Sequence, residues 1–138
     1  SSNLSPLQVL MLYNTIANKG KMMQPYMVKE IRLEGQTLSK IEPIVLKEKA
    51  FSAATAAAVT NMLIQVVDHG TAKEIKSENY KIAGKTGTAD DKSIIKDNED
   101  MSPKVYNNVT YISYFPYNKP RYLALTFMNH PKKTKSKF

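Results

Sequence analysis

Cysteine is absent from the 138 residues, which excludes disulfides and thiolate metal sites. That absence does not choose a compartment. Histidine is nearly absent too. His69 and His130 stand far apart without a partner at ligand spacing, so neither a metal nor another cofactor is expected. No apolar run is long enough to span a bilayer, and the chain itself is expected to be soluble. It carries neither a signal peptide nor an initiating methionine and passes from Ser1-Ser2-Asn3 almost directly into a helix start. That opening reads as a cut made inside a larger protein. Acidic residues are few, 12 against 20 basic, for a formal charge of +8. Such an excess invites a nucleic-acid reading. The basic residues are scattered, however, and the densest cluster is Lys132, Lys133, Lys135 and Lys137. Residues 132–138 are expected to form a flexible, solvated basic tail, and no nucleic acid is expected to bind. Repeats and dividing linkers are missing as well, so residues 1–138 read as one unit with one core.

What the chain does have is the stretch Ile82-Ala83-Gly84-Lys85-Thr86-Gly87-Thr88-Ala89, two of whose residues are among only five glycines. It reads as a short strand. Glycine weakens a strand and marks close approach by a ligand or another backbone. Alternation puts Lys85 and Gly87 on one face and Thr86 and Thr88 on the other. A ligand touching all four must lie along the strand's edge, where it could take backbone N–H groups as an added strand does. A lysine charge beside threonine hydroxyls suits a carboxylate. A strand end with a glycine turn and a solvated lysine explains the same letters, and the stretch alone does not choose between the two.

The rest of the chain supplies the frame. Ser5 as N-cap, Pro6 at the first helical position and Gln8 closing a capping box predict a helix. Val9, Leu12, Tyr13, Ile16 and Ala17 give it an apolar face, with Lys19 in the last turn and Gly20 as the stop. Met27 to Leu33 and Thr37 to Ile41 read as a hairpin about Glu34-Gly35-Gln36. Ile44-Val45-Leu46 is an apolar link of undetermined type. Ser52 caps a second, alanine-rich helix whose stripe is Ala56, Val59, Leu63, Val66 and Val67, widened by Met62. His69 belongs to its last turn, favoured there by the helix dipole, and Gly70 ends it. A strand from about Tyr80 to Ala89 follows, then a long polar loop, Asp90 to Asn108. Val109 to Phe115 and Arg121 to Met128 form a second hairpin around Pro116 to Pro120.

Taken in order, Ser5-Pro6-Leu7-Gln8, Ala17-Asn18-Lys19-Gly20-Lys21, Val66-Val67 before Gly70-Thr71-Ala72, Ala83 to Ala89, and Phe115-Pro116 with Asn118-Lys119-Pro120-Arg121-Tyr122 carry a resemblance. The chain resembles the C-terminal part of the transpeptidase domain of class B penicillin-binding proteins, the cell-division or elongation type, from Ser5 to about Pro131. The resemblance implies an α+β fold with an antiparallel sheet. This chain would supply three of the family's five strands, ordered last strand, middle strand, lysine-threonine-glycine strand. It implies a peptidoglycan D,D-transpeptidase that forms a serine acyl-enzyme with a stem peptide and is acylated by β-lactams. By position, Lys85 would line the site and support its proton network. Thr86 and Thr88 would offer hydroxyls to the substrate carboxylate. Gly87 would keep the edge open, and the Thr88 backbone N–H would serve the oxyanion hole. The parent would be anchored in the bacterial cytoplasmic membrane with this domain on its outer side. A D,D-carboxypeptidase, a β-lactam sensor or a serine β-lactamase shares the same strand. A basic module binding anionic polymers is the alternative from another class.

The departures are as informative. The family's nucleophilic serine, general-base lysine and serine-x-asparagine box should precede Ser1. Ser93-Ile94-Ile95-Lys96 and Ser77-Glu78-Asn79 match those boxes by letter but not by position, and Ser136 has no lysine three residues on. Ser113 stands where the family usually has glycine, which would narrow the space behind the site strand. The polypeptide is therefore expected to be inactive alone. It is expected to need the missing N-terminal half of the domain, and to self-associate through the unprotected strand 121–128.

Overall fold

The computed structural model describes residues 4–91 and 106–131. Helix α1 (Pro6–Ala17) starts at its capping box. Ser5 Oγ accepts the Gln8 N–H at 3.3 Å, and Gln8 Oε1 accepts the Ser5 N–H at 2.7 Å. Two donors that the helix cannot satisfy internally are thereby paired. The helix ends at Ala17 with Asn18 as its cap, so Lys19 lies past the last turn, at φ 57°. Gly20, at φ 98°, donates its N–H to the Thr15 carbonyl at 2.8 Å. A side chain there would run into the Phe51 carbonyl, so glycine lets the segment before the second helix close on α1.

The apolar face of α1 departs from expectation at one position. Ile16 is buried, and Tyr13 and Ala17 pack against the core, but Leu12 is 44% exposed. Thr15 is fully buried instead, its hydroxyl donating to the Met11 carbonyl at 2.8 Å. That internal bond is what allows a hydroxyl to be buried on a helix. Helix α2 (Ala53–Asp68) is capped by Ser52, whose Oγ accepts the Thr55 N–H at 3.0 Å. Ala56, Leu63 and Val67 are its buried residues, and Met62 turns outward. His69 is the cap residue and lies one place beyond the last turn.

Between the helices, β1 (Met22–Met23) pairs antiparallel with β4 (Val45–Lys47), which gives the apolar link a definite place. A hairpin, β2 (Glu30–Leu33) and β3 (Gln36–Lys40), projects from that clasp, with Glu34 and Gly35 in the left-handed region at its turn. The expected start at Met27 is corrected to Glu30, because ladder pairing ends at Glu30 opposite Lys40 and Met27 is fully exposed.

The main sheet is antiparallel in the order β5 (Ala83–Asp91), β6 (Tyr106–Phe115), β7 (Tyr122–Asn129), as expected. Strand β5 begins later than Tyr80 because Ser77 Oγ accepts the N–H groups of Asn79 and Tyr80, both at 3.2 Å, and holds a local turn. The long loop is shorter than expected. Residues 90–91 extend β5 and 106–108 belong to β6, while 92–105 and the tail 132–138 lie outside the described residues. The Phe115–Pro116 peptide is cis and leads into the turn before β7. Ile16, Leu63, Ala83 and Tyr114 form the core that joins both helices to one face of the sheet. The fold is α+β, as the resemblance implied.

Candidate functional site: the outer edge of strand β5

Strand β5 pairs with β6 along one side, and among the described residues no strand pairs with its other side. Ala83 and Tyr114 anchor its beginning in the core, and the Tyr117 N–H donates to the Lys81 carbonyl at 2.8 Å just before it. The register sets Lys85 opposite Ile112, Thr86 opposite Tyr111, Gly87 opposite Thr110 and Thr88 opposite Val109. Lys85 and Gly87 therefore share the face of the buried Ile112, and Thr86 and Thr88 take the other. Lys85 and Thr88 are exposed, while Thr86 and Gly87 are half-buried. Among the described residues, no strand covers this side, and all four residues keep some exposure.

Strand β6 crowds both glycines, through its backbone as well as side chains at Gly84 and through one side chain at Gly87. A Cβ at Gly84 would lie 2.8 Å from the Ile112 carbonyl oxygen and 2.9 Å from Ser113 Cβ, and would also meet the Tyr111 hydroxyl. A Cβ at Gly87 would lie 2.5 Å from Thr110 Oγ1. Thr110 also donates its hydroxyl to the Gly87 carbonyl at 3.4 Å. Close approach was legible in the two glycines, but the approaching groups are those of β6, backbone and side chains at Gly84 and a side chain at Gly87. Ser113, buried at 6% exposure, lies opposite Gly84.

Three polar features surround the edge. The Lys85 ammonium donates to the Thr86 carbonyl at 2.8 Å, so it curls back along its own strand. Thr71, just past α2, places its hydroxyl 2.7 Å from that of Thr86. Thr71 had read only as part of a polar connector, and the landmark Gly70-Thr71-Ala72 was the one signal that could have found it. The Tyr111 hydroxyl, shut from solvent beside Gly84, has no hydrogen bond of full geometry among the described residues. Burial raises the Tyr111 phenol above its ordinary range, and its polar neighbour Ser113 offsets part of that rise. Burial raises Tyr114 likewise, and there the 2.7 Å hydrogen bond with Thr60 opposes it.

Of the letter matches to other boxes, Ser77 is occupied in its turn and stands before the strand, while Ser93, Lys96 and Ser136 lie outside the described residues. No group of three metal-ligating side chains occurs among the described residues. No helix among them is long and apolar enough to cross a membrane.

The fold and this edge define an α+β protein whose outer sheet strand carries Lys85, Thr86 and Thr88 along a side that no described strand pairs with. The chain belongs to the penicillin binding protein transpeptidase domain family, which it matches over residues 1–138. Among curated relatives it is similar to the peptidoglycan D,D-transpeptidase FtsI homolog of Mesostigma viride, 28% identical with 93% of this chain and 23% of the relative covered. It is also similar to penicillin-binding protein 1A/1B of Bacillus subtilis, 29% identical with 90% of this chain and 13% of the relative covered. The chain thus spans less than a quarter of the length of these relatives. Among solved structures, the D,D-transpeptidase domain of a peptidoglycan glycosyltransferase from Eggerthella lenta superposes with a TM-score of 0.73 at 29% identity, covering 91% of this chain and 27% of that one. Penicillin-binding protein A of Mycobacterium tuberculosis, solved as its imipenem acyl-enzyme, shares the fold with a TM-score of 0.74 at 23% identity, covering 96% of this chain and 28% of that one.

Proposed function

We propose that this chain forms the carboxylate-binding wall of a serine D,D-transpeptidase that cross-links peptidoglycan stem peptides. The observation that carries this reading is the family match along the whole chain, joined to a β5 edge, unpaired among the described residues, that bears Lys85, Thr86 and Thr88. In the reaction, a serine hydroxyl attacks the penultimate D-alanine carbonyl and loses its proton to a base. The terminal D-alanine leaves with a proton on its amine, and an ester remains on the serine. An amine from a neighbouring stem then takes the acyl group and frees the serine. A β-lactam opens on the same serine and stays there. The nucleophile and its base lie on a part of the enzyme other than this chain. The chain's share is binding and orientation. Thr86 and Thr88 donate hydroxyls to the terminal carboxylate, Lys85 supplies positive potential and joins the proton network, and Gly87 leaves room for the acyl chain. The Thr88 N–H is one donor to the oxyanion, a contact worth about 3 kcal/mol in other enzymes.

The helix landmarks and the FtsI-type relative favour a class B parent, held at the outer face of the bacterial cytoplasmic membrane. A carboxypeptidase, β-lactam sensor or β-lactamase uses the same wall and differs in whether water or an amine takes the acyl group. Product analysis of the complete enzyme with an acceptor amine separates these. The net charge of +8 keeps an anionic-polymer module as the second reading, and it predicts polymer binding that falls steeply with salt. The deciding test is labelling by a fluorescent penicillin. The complete enzyme is expected to be labelled on a serine outside this chain, and the isolated chain to remain unlabelled. A covalent adduct on the isolated chain would overturn the division of labour. In the complete enzyme, Thr86→Val is expected to slow acylation more than about tenfold, the loss of a hydrogen bond to a charged group.

A further inference from the structure

The hydroxyl of Thr71 does not sit beside Thr86 by chance of a mobile side chain. Helix α2 ends there in a tight turn in which the N–H groups of Gly70 and Ala72 both donate to the Val66 carbonyl at 3.1 Å. A Cβ at residue 70 would lie 2.9 Å from the Val66 backbone, so the turn depends on glycine. Ala72, 4% exposed, anchors the far side. Thr71 is held between these two and reaches Thr86 Oγ1 at 2.7 Å. No other side-chain hydrogen bond between α2's end and β5 occurs among the described residues.

Two hydroxyls at that distance share one proton, and either can donate. A carboxylate beside Thr86 removes the ambiguity. A carboxylate only accepts hydrogen bonds, so Thr86 must donate its O–H to it, and the oxygen of Thr86 is then free to accept from Thr71. Donation from Thr71 polarises the Thr86 O–H and strengthens its bond to the anion. Resting on the functional reading above, we infer that Thr71 is a positioning residue for the reaction, acting through Thr86 to fix the direction of its hydroxyl. The strand's recognition of a carboxylate then includes the terminus of helix α2.

The experiment uses the complete enzyme and reads the second-order rate constant of acylation by a fluorescent penicillin, with thermal unfolding followed in parallel. Thr71→Val keeps the shape and removes the donor. It is expected to slow acylation about fivefold, the size of one neutral hydrogen bond. Thr71→Ser restores the donor and is expected to recover the rate to within about twofold. In a Thr86→Val background, Thr71→Val is expected to cost nothing further, since its route is gone. A penicillin whose carboxylate is esterified is expected to be indifferent to Thr71. An equal loss from Thr71→Val in both backgrounds would mean a separate contact and would overturn the inference. So would a lowered unfolding temperature with unchanged acylation, the mark of a purely structural tie. If Thr86→Val itself leaves acylation unchanged, the reading of the strand fails with it. If only Thr71→Val is silent, the inference fails alone.

Discussion

Gly84 is the residue on which the geometry of the edge turns. It lies opposite Ser113, and the two cannot both carry large side chains, because a Cβ at 84 would crowd Ser113 Cβ and the Ile112 carbonyl at under 3 Å. Gly84→Ala is expected to destabilise the chain by about 1–3 kcal/mol, as overpacking does. Adding Ser113→Gly should recover part of that, with the Ile112 carbonyl remaining as an obstacle. Urea midpoints at constant slope would measure both steps. Tyrosine gives the pH counterpart. Tyr13, Tyr111 and Tyr114 are all raised above 10.0 by burial. On unfolding they lose protons at lower pH than in the native state, so the unfolded state binds fewer protons as pH passes 10 and stability falls with rising pH. The stability these rings contribute is complete below pH 10 and is lost through their native titration. Absorbance near 295 nm should show tyrosines titrating late, and the unfolding temperature should decline over the same interval. A decline complete before the buried rings titrate would contradict this.

At the scale of elements, β7 is the exposed flank. Tyr122 to Asn129 contains no charge and no proline, and among the described residues it pairs only with β6. Natural edges are blunted by charge, proline or bulges, and this one has none of them within the strand. The isolated chain is expected to associate through β7 at micromolar concentrations, and Thr126→Lys to return it to monomer by light scattering. A wild-type monomer with β7 protected from hydrogen exchange would refute this. Elements with local chemical signatures were legible in the sequence. Ser5, Pro6 and Gln8 specify the start of α1 through bonds between neighbours, and Ser52 does the same for α2. The pairing of β1 with β4 was not legible, because two or three residues carry no period and their partner lies more than twenty residues away. Leu12 misled because helical spacing reports an apolar stripe but not how much of it a neighbour covers. At the edge strand, the alternation expected of Lys85 and Gly87 with Thr86 and Thr88 is the one the register gives. Thr71 was missed because its relation to Thr86 exists only once α2 has docked on the sheet.

The whole molecule is divided between a closed part and an excursion. Helices α1 and α2 and the sheet β5-β6-β7 share one core, whereas β2 and β3 are exposed at every residue but Glu30. A groove of about 420 Å³ beside α1, lined by Leu7, Met11, Tyr26 and Leu123 among others, leaves apolar surface open on the same molecule. The hairpin leaves and re-enters through a narrow base. The Gln24 N–H donates to the Ile44 carbonyl at 2.9 Å, and β1 and β4 close beneath it. Replacing residues 25–43 by Asn-Gly, a two-residue turn suited to such a base, is expected to change the unfolding free energy by less than about 1 kcal/mol. Loss of cooperative unfolding in that deletion would show that the hairpin belongs to the core. A segment that departs and returns through one pair of facing residues can be lengthened, shortened or exchanged without moving either foot. The protein thus carries a place for inheriting or grafting sequence whose strands touch each other and not strand β5.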